Sequence, residues 1–334
     1  MLKPQSGISI CVICSLWLTG CFNNTSSATI EQSVQGLYDA ALSADTNLSL
    51  VASIHHGASL WNLETQERVF NWNHKAGSYS SIDHVALSAD GSTGLTSLSN
   101  QLIAWDSKTG RSIEFWQLPN DISCLSLSLT GDFALVTMSS GQAMVIDIKN
   151  NGYIWQSSFD HPITACHLDQ NHQSMAIGLQ SGSVSFFKIK QPVTAPNAKQ
   201  HQWQVLPALQ LQHPYAINFV QSDTAHNLLL SASQHHELWA NRLGEEQPLY
   251  VKTLKHASVT AAVITDTMLL MATTARRIDV VNTQDWQVAH HLRVPKKNPW
   301  KPSGVFIKTI ALYKNRLAVT STDGMSYIYD FPPD

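Results

Sequence analysis

Seven times along this chain of 334 residues the same order returns: an alternating strand, a polar turn, a second strand, another turn and a third strand. The clearest copy is "HVALSADGSTGLTSLSNQLIAWD", residues 84–106. Upstream, "AALSADTNLSLVASIHHGASLWN" repeats it, setting Ala41-Leu42-Ser43-Ala44-Asp45 against Ala86-Leu87-Ser88-Ala89-Asp90. Each copy closes its third strand on an aromatic or apolar residue, at Trp61, Trp105, Ile146, Phe187, Trp239, Val281 and Tyr329. These closers stand between 41 and 52 residues apart, the period of a four-stranded blade. One such blade cannot bury both of its faces, so every copy needs neighbours. Radial repetition protects the strand edges only if the ring closes.

The repeat resembles the WD-repeat β-propellers, and the resemblance covers nearly all of the chain after its first two dozen residues. Trp105-Asp106 is a literal Trp-Asp; Ile146-Asp147 and Tyr329-Asp330 keep the acid, Trp61-Asn62 and Trp239-Ala240 the indole. The resemblance implies an all-β chain: a seven-bladed WD-repeat-like β-propeller over residues 28–334. It also implies a buried His before the first strand of a blade, bonded to an Asp in the turn between the second and third strands. His74, His161, His213 and His256 hold the His position, but the turns facing them contain no Asp. Apolar packing is therefore expected to hold these blades. Relatives commonly close the ring with an N-terminal strand that completes the last blade. Here the last copy has only Pro332-Pro333-Asp334 after its third strand, and "ATIEQSVQG", residues 28–36, is a spare segment before the first.

The start of the chain has a different character. Lys3 precedes an apolar run from Ile8 to Leu18. As a helix this run spans roughly 16 Å, about half of a hydrocarbon core, so it reads as a signal segment rather than an anchor. It exits through Leu18-Thr19-Gly20-Cys21, which resembles the lipobox of bacterial lipoproteins. That resemblance implies a signal peptide over 1–20, cleavage before Cys21, lipidation of Cys21, and a tether over 21–27. Phe22 after the cysteine implies outer-membrane placement, the periplasmic side being favoured.

Charged residues are only 13% of the chain and the net charge is −3, so there is no general basic field for nucleic acid. Cys124 and Cys166 remain beyond the first segment. In an oxidising compartment they are able to pair, but they fall on opposite faces of equivalent first strands, which favours two free thiols. Fifteen histidines, with doublets at 55–56, 235–236 and 290–291, raise a metal hypothesis. Blades one and five are not neighbours in a seven-membered ring, and adjacent strand residues point apart, so no metal site is assigned. No nucleophile elbow, His-Glu-x-x-His pair or phosphate loop occurs, so no catalytic residue and no cofactor is assigned either.

Two segments break the period. One is 190–202; the other is "VPKKNPWKPS", residues 294–303, between blades six and seven. In the second, Trp300 stands among Lys296, Lys297 and Lys301. It either tucks against the rim or serves as an aromatic anchor ringed by charge. The expected function is a monomeric, non-enzymatic interaction scaffold for envelope proteins, held to the membrane by the lipid on Cys21. The rival is a periplasmic metal-dependent enzyme or redox accessory protein using the His-rich face.

Overall fold

A computed structural model describes residues 25–75, 77, 79–169, 171, 173–190, 203–234, 237–300 and 304–331. Segment 1–24, with Cys21, lies outside them, as do His235, His236 and Lys301. The described chain forms 28 strands in seven four-stranded antiparallel sheets, the blades of a propeller. The inner strands are Leu37–Leu42, His84–Leu87, Ile122–Leu127, Ile163–Leu168, Ile217–Asp223, Val259–Ile264 and Ile307–Tyr313. Each inner strand lies beside that of the next blade, and the seventh lies beside the first, so the ring is closed. The seventh sheet takes its outer strand, Ala28–Glu31, from the other end of the chain. It pairs antiparallel with Met325–Asp330, from Ala28 opposite Ile328 to Glu31 opposite Met325.

The core is a set of layers between blades rather than one centre. Between blades one and two, Leu50, Leu60 and Trp72 meet Ile82, Val85 and Trp105; between five and six, Leu230 and Leu238 meet Val259, Leu269 and Met271. Trp72 stacks on Trp105 at 5.3 Å, and the closeness of its ring requires Gly94, where a Cβ would stand 2.6 Å from the indole. The seam that closes the ring is smaller and more polar. There Ile30, Ala318 and Ile328 meet Leu63, while Gln32 accepts hydrogen bonds from Ser326 and Ser49 at 2.8 and 3.4 Å.

Six of the seven inner strands shift register after their first residue, a bulge at Tyr38, Ser123, Thr164, Asn218, Thr260 and Lys308. A bulge re-aims its side chain. Three of these side chains cross a seam: Thr164 donates to the Ile217 carbonyl at 2.5 Å, Asn218 to that of Val259 at 2.6 Å, and Lys308 pairs with Asp39 at 3.2 Å.

Cys124 and Cys166 form a disulfide between the inner strands of blades three and four, their Cα atoms 5.9 Å apart. The expectation of free thiols is thus corrected. Adjacent blades press the front of one sheet onto the back of the next, so residues of opposite parity on equivalent strands are the ones that meet. The same step joins Asp39 to the Val85 amide at 3.0 Å, two seams earlier in the ring.

The missing Asp residues do not abolish the histidine bonds either. His74 Nε2 lies 2.9 Å from Thr96 Oγ1, which also accepts the Trp105 indole N–H at 2.8 Å. His213, 1% exposed, meets Ser231 Oγ at 2.9 Å and stacks on Trp239. His161 and His256 are exposed. Half of the expected network survives, with hydroxyls in place of carboxylates.

Candidate protein-binding face

Up-and-down strands give the ring two faces. The upper one carries the loops that enter inner strands and the turns between second and third strands. The lower one carries the remaining turns. Through the middle runs a channel of about 900 Å³, lined by residues of all seven inner strands.

At its upper mouth, blades seven, one and two contribute Lys308, Asp39 and His84. Asp39 faces Lys308 Nζ at 3.2 Å and His84 Nδ1 at 3.8 Å, and accepts the amides of Ala40 and Val85. Burial pushes its carboxyl up, but Lys308, His84 and the Val85 amide outweigh that and hold it at about 2. The Asp39 carboxylate thus joins blades seven, one and two through charged and hydrogen-bonded contacts at the mouth. Deeper in the wall, His167 is pushed down to about 4 by burial, and its Nδ1 accepts the Ser222 amide at 3.2 Å. Among the described residues no group of three His, Cys, Asp or Glu converges on a point able to hold a metal ion.

The same three blades are flanked by unusually exposed apolar side chains. Trp300 is 93% exposed, Val34 77% and Tyr79 72%, each in one of three successive inter-blade loops on the upper face. His56, in a turn of blade one, packs edge-on against Tyr79 at 5.3 Å. The other exposed apolar residues are more scattered: Ile113, Phe115 and Val251 lie along outer strands, Leu129 in a lower turn, and Tyr215, 54% exposed, alone in the loop between blades four and five on the upper face.

Of the residues singled out in the sequence, Trp300 projects into solvent and does not tuck against the rim. Lys297 does something else. Its ammonium bonds Glu31 at 2.8 Å and the carbonyl of Val34 at 3.0 Å, while its amide donates to Asp323 at 2.9 Å. It latches the loop to the strand that closes the ring. Lys296 is half-buried, and Lys301 falls outside the described residues. Val34, Tyr79 and the Asp39 cluster were not legible beforehand, because no repeat is broken around them. For Val34 and Tyr79 the sequence signal is a large apolar residue inside an inter-blade loop; Asp39, on an inner strand, has none.

Comparison with known proteins bears on the fold alone. No protein-family model and no curated protein matches the chain. Among solved structures, a chain in a structure described as "Crystal Structure of Mitotic Checkpoint Complex" superposes on 99% of this chain and 97% of its own, with a TM-score of 0.74 and 12% identity. At that identity, what is shared is the seven-bladed propeller.

Proposed function

We propose that this protein is a bacterial envelope lipoprotein, acylated on Cys21, that uses its propeller as a non-enzymatic platform for protein partners. The observation that carries the reading is the concentration of Trp300, Val34 and Tyr79 on one sector of the upper face, since exposed apolar clusters on a rigid scaffold mark interaction sites. Trp105-Asp106 and the His74–Thr96–Trp105 bonds support kinship with WD-repeat propellers, whose inter-blade loops acquire specificity without disturbing the blades. The Cys124–Cys166 disulfide suits an oxidising compartment, as export through "LTGC" requires.

The geometry gives the anchor a consequence. Strand Ala28–Glu31 starts at the lower face and ends at the upper one. A tether from Cys21 to Ser27 reaches roughly 25 Å at most, so lipid on Cys21 holds the lower face near the membrane and turns Trp300 outward. Outer-membrane placement follows from Phe22 in this reading, with the periplasmic side favoured.

Replacing the cysteine tests the anchor. Cys21→Ser is expected to leave uncut precursor or release protein from the membrane, and a variant processed and retained like the wild type would contradict it. For the platform, Trp300→Ala is expected to cost about 2 kcal/mol or more of partner binding, roughly thirtyfold, at an unchanged melting temperature. Undiminished partner recovery would exclude this sector as the main contact.

A further inference from the structure

The positive charge of this chain is unevenly spread. Although the whole carries −3, Lys252, Lys255, Arg276, Arg277, Arg293 and Lys296 gather where blades five, six and seven meet at the upper face. The only acids between residues 252 and 297 are Asp266, Asp279 and Asp285. Asp266 and Asp285 stand in turns of the lower face. Asp279 is fully buried, and its two oxygens are occupied by Arg277 at 2.7 Å, His291 at 2.7 Å and Lys252 at 3.2 Å. One carboxylate thus gathers three basic side chains and neutralises only part of their charge. Two further acids stand nearby, Glu237, which accepts the Trp239 indole at 2.9 Å, and Asp323, which takes the Lys297 amide, so three acids face six basic side chains and the balance is positive.

Two local features shape this edge. Arg277 and Arg293 stand directly opposite each other in the pairing of adjacent strands, both exposed. Like charges in that position repel. Arg276 occupies a left-handed backbone conformation, φ 58°, and donates to the Val294 carbonyl at 2.9 Å. That bond fixes the start of the loop running on to Trp300, so the chain leads directly from the basic edge to the exposed indole.

We propose that the upper edge of blade six, continuing into the loop of Trp300, docks an acidic protein segment bearing an apolar residue. Carboxylates of that segment meet Arg277, Arg293 and Lys255, and the apolar residue meets Trp300. Charge complementarity selects an anion, and the surplus of cations at the edge gives the association its speed and salt dependence. The choice of a protein over anionic lipid rests on the anchoring at Cys21 proposed above, which turns this face away from the membrane.

The test uses the full lipidated chain in phosphatidylcholine nanodiscs and a fluorescein-labelled peptide of glutamates flanking a central phenylalanine. A counterpart carries glutamines in their place. The glutamate peptide is expected to bind at least about tenfold more tightly, with an affinity that falls as salt is added. The double variant Lys255→Gln, Arg293→Gln, which spares the Asp279 cluster, is expected to weaken it about tenfold at an unchanged melting temperature. Equal affinity for the two peptides overturns the proposal, as does a folded double variant that binds like the wild type. So does displacement of the peptide by phosphatidylglycerol vesicles that themselves bind, which makes the edge a lipid surface. If the double variant melts early, the wild-type ratio between the peptides decides alone. Cys21→Ser leaves this ratio untouched, so failure of the anchor and failure of the docking edge are separate results.

Discussion

Two ionisable side chains of the inner strands, Asp39 and His167, bring acid sensitivity in separate pH windows. The folded Asp39 titrates at about 2 against 3.8 for an ordinary carboxyl, so the stability it contributes is present above about 4 and is lost as pH falls through 2. His167 behaves differently. Its ring titrates near 6.5 when unfolded and at about 4 in the fold, so the unfolded chain takes up the proton first. Its contribution is full above pH 6.5, declines from there to about 4, and is flat below. His167→Asn keeps an acceptor for the Ser222 amide and removes that titration. Melting curves from pH 7 to 4 are expected to fall more steeply for the wild type than for the variant. Parallel curves would show that His167 is not held neutral in the wall. Neither role was legible in the sequence. The alternation places His167 on an inner strand, but its acceptor role depends on a partner 55 residues away in the next blade.

At the scale of strands and seams, the ring closure is the element that bears most strain on the account. Six seams are filled by larger apolar clusters, whereas the closing seam relies on Ile30, Leu63, Ala318 and Ile328, the Gln32 bonds and the Lys297–Glu31 latch. Ile30→Ala is expected to cost about 2–4 kcal/mol. Deleting residues 28–36 is expected to leave Met325–Asp330 with an open edge, lower the melting temperature and promote aggregation. A deletion variant that stays monomeric and melts like the wild type would refute closure by this strand. The closure was legible because a spare strand at one end and a missing one at the other are both visible as counts. The disulfide was misread for a physical reason: parity on one strand says which face a residue takes, but across a seam opposite faces are the ones in contact. The bulges that aim Thr164, Asn218 and Lys308 at their neighbours leave no mark in the alternation, because a bulge shifts pairing without changing the residue types.

For the whole molecule, the seven-fold repeat was plain because the third strand of each blade keeps a large apolar closer where two sheets meet. The proposed binding face was only partly so. Trp300 drew notice by interrupting the period, but the basic edge of blade six is assembled from residues scattered between 252 and 296, on different strands and loops. Lys297 matched the expected composition of a binding loop and turned out to secure the closing strand. The central claim is directional: lipid at the lower face, protein partner at the upper. A photoreactive amino acid placed in living cells at Val34, on the upper face, and separately at Leu129, in a turn of the lower face, tests it most directly. The account predicts a discrete protein adduct from position 34 that is absent from position 129. Adducts of equal yield from both positions, or protein capture from position 129 alone, would contradict it.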